Sequence, residues 1–271
     1  MSRVTCVEPP RATGSADGAG AIGGLAPAPV VFPAYRVTMR RIGLLGGMSW
    51  ESSIEYERII NTEVRERCGG VTSADLVIRS VDFSVIESLQ AADQWNEAGD
   101  LLVAEARLLE AAGSELLVLC TNTMHRLADR IMAGISIPFI HIADATAAAI
   151  HRAGVDTVGL LGTRYTMEAD FYAGRLRDEH DLDVIVPDAD GRALVHRIIY
   201  DELVRGVVDD GSRTEMLGVI ESLVADGAGG IIAGCTEIEL LVTPSEVTVP
   251  YFPTARLHAL AAVDAALASS S

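Results

Sequence analysis

The chain has 271 residues, 49% of them hydrophobic, enough to bury a substantial core in one or two domains. Its 38 acidic residues outnumber 21 basic ones for a net charge of −17, a surface that repels polyanions and excludes nucleic acid as an expected partner. No stretch reaches the roughly 18–20 apolar residues of a membrane span, no basic start followed by an apolar run marks a signal peptide, and the four cysteines have neither zinc-ligand nor disulfide spacing. The expectation is a soluble cytoplasmic protein with no membrane partner and no bound metal.

Residues 1–38, rich in Gly, Ala and Pro, carry no apolar periodicity and read as a disordered extension. Met39 directly precedes the first strand-like run, Arg41-Ile42-Gly43-Leu44-Leu45, and is an alternative start. The turn Gly46-Gly47-Met48-Ser49 then opens a helix that Trp50 to Ile60 suggests. Leu101, Leu102, Leu108 and Leu109 mark one face of a helix ending near Gly113, which feeds a short buried strand at Leu116 to Leu119. In the second half, a helical stretch runs from Ala193 to Val204. Met216, Ile220, Leu223 and Val224 mark another helix before Gly227, followed by a strand at Gly230 to Ala233.

Three anchors recur in the same order. Ile42 to Gly47 returns as Val158 to Thr163, Gly113 to Asn122 as Gly227 to Thr236, and Ile137 to Ile140 as Val249 to Phe252, at offsets of 116, 114 and 112 residues. Strand and helix alternate throughout, so the fold class is α/β: two pseudo-symmetric lobes, each a parallel sheet flanked by helices. The lobes are expected at 40–150 and 151–252, with a last helix from Thr254 to about Leu267 packing back on the first. Right-handed crossovers put the functional loops at the carboxyl ends of the strands, facing the cleft between lobes.

The repeat superposes Leu119-Cys120-Thr121-Asn122-Thr123-Met124-His125 on Ala233-Gly234-Cys235-Thr236-Glu237-Ile238-Glu239, setting Thr121 against Cys235. Two facing proton-transfer groups are what epimerisation at a carbon acid needs. Cys235 precedes a helix start, whose positive end would lower the thiol pKa; the bland alternative is a buried structural cysteine. Asn122, Thr123, Thr236 and the turn backbones form a cradle for a carboxylate, or merely cap their helices. Thr163 occupies the turn that matches Gly47. Arg205 is placed either to salt-bridge a substrate carboxylate or simply on the surface, and Gln90 carries little signal of its own. His125 and Glu237, just beyond the strand ends, are positioned to hold or tune the reactive groups or to be solvated helix residues. Cys6, in the extension, and Cys68, in a loop, have no partner pattern. Cys120 aligns with Gly234, and strand alternation turns it away from the face shared by Thr121 and Cys235.

From Met39 onward the chain resembles the aspartate/glutamate racemase family, cofactor-independent amino-acid racemases of the Asp/Glu/hydantoin group. The motifs that carry the resemblance are Gly46 to Ser52, Cys120 to His125, Leu161 to Glu168 and Gly234 to Ile238. The family's usual Cys-Asn-Thr reads Thr121-Asn122-Thr123 here, which is similar to a broad-specificity subgroup with one threonine and one cysteine. The resemblance implies catalysis by Cys235 and Thr121 on a small amino acid, with L-aspartate and L-glutamate favoured. It implies a substrate site lined by Met48, Gln90, Asn122, Thr123, Thr163, Arg205, Thr236 and Glu237, tuning by His125, and a homodimer. Neither a pyridoxal lysine nor a metal cluster is evident, so no cofactor is expected. Maleate isomerases, hydantoin racemases and arylmalonate decarboxylases are related alternatives, and a non-catalytic amino-acid binder is another.

Overall fold

The computed structural model describes residues 39–268; the extension expected at 1–38 lies outside the described residues. Among the described residues, eight strands form two four-stranded sheets of identical topology. β1 (Ile42–Gly46), β2 (Leu76–Ser80), β3 (Leu116–Leu119) and β4 (Phe139–Ile140) are ordered β2-β1-β3-β4. β5 (Thr157–Gly162), β6 (Asp183–Ile185), β7 (Ile231–Gly234) and β8 (Tyr251–Pro253) are ordered β6-β5-β7-β8. Every pairing is parallel, with Leu44 opposite both Ile78 and Val118, and Leu160 opposite Ile232. The internal repeat therefore appears as two copies of one sheet.

Parallel strands read as continuous apolar runs because helices cover both of their faces, and β1, β3 and β7 are buried throughout. Period-two alternation assigns the faces. In the first sheet Ile42, Leu44, Leu116 and Val118 pack under the helix Trp50–Cys68, whereas Leu45, Leu117 and Leu119 pack under the helix Trp95–Ala111. In the second sheet Leu161, Ile231 and Ala233 meet the helix Asp210–Ala225, and Val158, Leu160 and Ile232 meet the helices Ile142–Ala153 and Asp170–His180.

The two halves exchange helices. The helix Ile142–Ala153, which follows the first sheet in sequence, packs Ile142, Ala143, Ala147 and Ile150 on the second sheet. The C-terminal helix Thr254–Leu267 packs Ala255, Ala259, Ala262, Val263 and Ala266 on the first sheet and on Tyr56, Ile59 and Ile60. By packing, the chain crosses between halves at His141, ahead of the expected 150/151 boundary. A buried pair seals the crossing: His258 Nε2–H donates to the Ile140 carbonyl at 2.7 Å, and the Tyr56 hydroxyl donates to His258 Nδ1 at 2.8 Å.

Two local readings need correction. Cys68 is the last residue of a helix, not a loop residue, because the helix begun at Trp50 continues past Ile60 and stops only at Gly69, with φ of 78°. The Ala193 to Val204 stretch is not one regular helix: an α-helix, Ala189–Arg197, widens into a π turn, Ile198–Glu202, then tightens into a 3₁₀ turn, Leu203–Arg205. That sequence of turns keeps Ile198, Ile199 and Leu203 all in the core.

Among the described residues no helix is long and apolar enough to cross a membrane, and no cluster of His, Cys, Asp or Glu has metal-binding geometry.

Candidate active site

In each sheet the chain leaves the central strand (β1 or β5) toward one neighbour and returns on its other side (β3 or β7). A parallel sheet opens a crevice at the carboxyl ends of such a pair. The ends of β1, β3, β5 and β7 accordingly converge on one cleft. Met48 and Ser49 come from the first turn, Thr121, Asn122 and Thr123 from the second, Thr163 from the third, and Gly234, Cys235, Thr236 and Glu237 from the fourth. Gln90, Phe83, Ile199, Tyr200 and Val204 complete the lining.

Glycine makes these turns possible. Gly47 has φ of 90°, and a Cβ there would lie 2.2 Å from the Val81 carbonyl oxygen. At Gly234 a Cβ would lie 2.6 Å from the Leu161 carbonyl oxygen, so only a residue without a side chain lets β7 run this close to β5 and deliver Cys235 to the cleft.

Glu237 organises the thiol side. Cys235 Sγ–H donates to its Oε2 at 2.9 Å, while the hydroxyls of Ser49 and Ser52 donate to its Oε1 at 2.5 and 2.9 Å. The Ser52 hydroxyl also lies 2.7 Å from Thr236 Oγ1. Burial and, after it, the Glu237 charge push the Cys235 thiol well above its ordinary range, the reverse of the expected helix-end effect. The physical reason lies in the local fold. The helix after Cys235 is only four residues long, Ile238–Leu241, and begins three residues later, too short and too distant for its dipole to offset a touching carboxylate. The thiol and carboxylate are thus held together as a hydrogen-bonded pair.

The opposite side is uncharged. The Thr121 hydroxyl makes no hydrogen bond among the described residues, and its residue is 8% exposed. His125 holds the Thr121 backbone instead: its Nδ1–H donates to the Thr121 carbonyl at 2.6 Å and its Nε2 accepts from the Ile142 N–H at 3.2 Å, which fixes the tautomer. Burial, with His141 and His258 nearby, keeps His125 neutral by lowering its pKa well below the usual value. Thr123 and Thr163 hydroxyls bond to each other at 3.0 Å across the two halves. Asn122 donates to Thr254 Oγ1 at 3.0 Å, which itself donates to the Ala233 carbonyl at 2.7 Å, and Asn122 Oδ1 is left buried without a partner.

The structure therefore gathers Thr121, Cys235, Met48, Gln90, Asn122, Thr123, Thr163, Thr236 and Glu237 around one cleft. It does not bring in Arg205, which is exposed at the end of the 3₁₀ turn beside Val204, outside the lining. His125 stands behind the lining. Cys120 is fully buried on the other face, among Tyr56, Ala255 and Ala259. Sequence reasoning missed Ser52 and Tyr200. Ser52, three residues after the N-cap Ser49, carries a detectable signal as its helix neighbour; Tyr200 carries none.

Residues 45–262 match the Asp/Glu/hydantoin racemase family. The chain belongs to this family. A candidate Asp/Glu racemase from Yersinia pestis is 52% identical, with a TM-score of 0.80 over 84% of this chain and 100% of that one. An aspartate racemase homologue from Pyrococcus horikoshii OT3 is 32% identical, with a TM-score of 0.74 over 84% of this chain and 99% of that one. The aspartate racemase of Picrophilus torridus, at 19% identity and a TM-score of 0.65 over 84% and 94% of the two chains, shares the fold. Racemases are isomerases, and in this member of the family two parallel sheets present their strand ends to one cleft.

Proposed function

We propose that the protein is a cofactor-independent amino-acid racemase in which Cys235 and Thr121 exchange protons with opposite faces of the substrate α-carbon. One observation carries the reading: a thiol hydrogen-bonded to a buried carboxylate and an unpartnered hydroxyl line the same cleft from symmetry-related strand ends. Glu237 takes the Cys235 proton, and the resulting thiolate removes the α-proton of a bound L-amino acid. The carbanion then receives the Thr121 hydroxyl proton on its other face. Return of a proton from the Cys235–Glu237 pair, through solvent, to the Thr121 alkoxide resets the site.

The carbanion needs stabilisation at the substrate carboxylate, and hydroxyls of Thr123, Thr163 and Thr236 with the amides of Asn122 and Gln90 supply neutral donors there. All 21 basic residues of the chain are arginines. With no lysine anywhere, a pyridoxal internal Schiff base has no residue to form on. Aspartate and glutamate are the substrates favoured by the family, with the L-forms as starting material.

Thr121 is the weak partner, since a threonine alkoxide is far costlier than a thiolate and no described side chain accepts its proton. The two enantiomers of a free amino acid have equal free energy, so kcat/KM is equal in both directions whatever the asymmetry of the bases. The asymmetry falls on kcat and KM separately. Incubation of the purified protein with a panel of L-amino acids in heavy water, following α-hydrogen exchange and chirality together, tests the reading. Exchange with inversion is expected, nearly abolished by Cys235→Ser; undiminished exchange in that variant refutes the role of the thiol.

A further inference from the structure

The cleft around Thr121 and Cys235 offers only about 30 Å³ to a water-sized molecule, roughly the space of one water. Ligand pockets ordinarily provide ~300 Å³ or more. Beside it lies a cavity of about 390 Å³, lined by Glu87, Arg164, Tyr165, His196, Arg197 and Asp201 among others. A single residue lines both spaces: Tyr200.

The setting of Tyr200 suits a movable partition. It occupies the middle of the π turn Ile198–Glu202, a rare local widening found mostly at functional positions. Ile199 and Leu203, fully buried in the core, anchor the turn on either side. The ring leans on His196 with centroids 4.6 Å apart. Its hydroxyl reaches across to the first half and donates to Gln90 Oε1 at 3.4 Å. That contact is at the weak limit of hydrogen bonding, in contrast to the 2.5–2.9 Å bonds around Glu237.

On the far side, Arg192 is paired with Glu168, and Arg197 with Glu202 and Glu215. Arg164 makes no ion pair among the described residues; its guanidinium lies over the Tyr165 ring, 5.5 Å from the centroid, and lines the outer cavity, so a carboxylate entering that cavity meets a positive charge with no carboxylate of its own.

We propose that Tyr200 is the access gate and size-selecting residue of the cleft. With the ring on Gln90 the inner space over Thr121 and Cys235 is narrowed to little more than a water. With the ring displaced, inner and outer spaces join into a pocket large enough for an amino acid, whose side chain extends into the outer cavity. The gate is independent of the reaction, whereas the size selection rests on the racemase reading.

The gate is tested by alkylating Cys235 with iodoacetamide and with a bulky N-substituted iodoacetamide, each rate being read by mass spectrometry of the Cys235 peptide. The ratio of bulky to small rates cancels any change in thiol ionisation. If the open form is a minor state of ~10% or less, Tyr200→Ala raises that ratio about tenfold or more. Tyr200→Leu, which keeps an apolar plug in the core, raises it in the same direction, and Arg164→Ala, confined to the outer cavity, leaves it unchanged. An unchanged ratio in folded Tyr200→Ala and Tyr200→Leu, or an equal rise in Arg164→Ala, overturns the gate. In parallel, α-hydrogen exchange by Tyr200→Ala should extend to bulkier amino acids such as phenylalanine. No exchange by the wild-type protein with any amino acid, alongside a raised alkylation ratio, would remove the racemase reading and leave the gate standing.

Discussion

Glu239 bears a titration that can be measured without any assay of activity. Its Oε1 is buried without a hydrogen-bond partner. Burial lifts its carboxyl from 4.5 to about 8, the Glu237 charge adding to the rise and a hydrogen bond from the Ala255 backbone opposing it. At about 1.36 kcal/mol per pH unit, holding this group ionised in the folded state costs roughly 3–5 kcal/mol. Because the folded value is raised, the stability is fully present below pH 4.5 and is lost progressively as the pH climbs to about 8. Glu239→Gln has the shape of the neutral acid and cannot ionise. It should match the parent in acid and exceed it by roughly 3–5 kcal/mol at pH 8 and above. Urea unfolding of both proteins at half-unit steps from pH 4.5 to 9 yields the difference directly, since titrating groups remote from Glu239 cancel between the two curves. A difference that stays flat over this range, or one that shrinks as the pH rises, would refute the burial argument.

The proposed proton-transfer groups and the neighbouring Cys120 give three further expectations. Glu237→Gln removes both the charge that opposes thiolate formation and the acceptor for the thiol proton. Thiolate absorbance should therefore titrate at lower pH while α-hydrogen exchange falls by about 10²-fold or more, and movement of both readouts in the same favourable direction would contradict the paired role. Thr121→Cys supplies a second thiol at the symmetry-related strand end, so the kcat values measured from the L- and D-enantiomers should converge; a wider gap counts against Thr121 as the second base. Cys120→Ala removes a sulfur from the packed face behind the sheet. It should cost about 1 kcal/mol of stability with exchange unaltered, and loss of exchange in a stably folded variant would move the thiol chemistry to Cys120.

Much of the architecture is legible along the chain because its signals are local. The three repeated anchors mark equivalent strands, and equivalent apolar runs fold into equivalent sheets: β1 and β3 recur as β5 and β7 with the same order and the same parallel pairing. Alternation with a period of two is equally local, and it separates Cys120, in line with Leu116 and Val118, from the strand-end residues of the cleft. Glycine at positions 47 and 234 is likewise dictated by the backbone approach it permits.

What eluded the sequence depends on segments that meet only after folding. The acidity of Cys235 is one case: a local view sees a helix start, but what decides it is burial and a carboxylate held from the other half by Ser49 and Ser52, more than 180 residues away. Arg205 is another, since helical spacing alone cannot reveal that a π turn followed by a 3₁₀ turn leaves it in solvent while Tyr200 faces the cleft. The seating of the helix Ile142–Ala153 on the second sheet is a third, because an apolar alanine stripe specifies a face without naming the sheet it covers. The sequence by itself determined the two matching sheets, the place where their strands end, and the threonine and cysteine that stand at equivalent strand ends. Tertiary structure alone decided which charges, hydroxyls and rings surround that pair, because desolvation and long-range partners come into being only when distant strand ends converge.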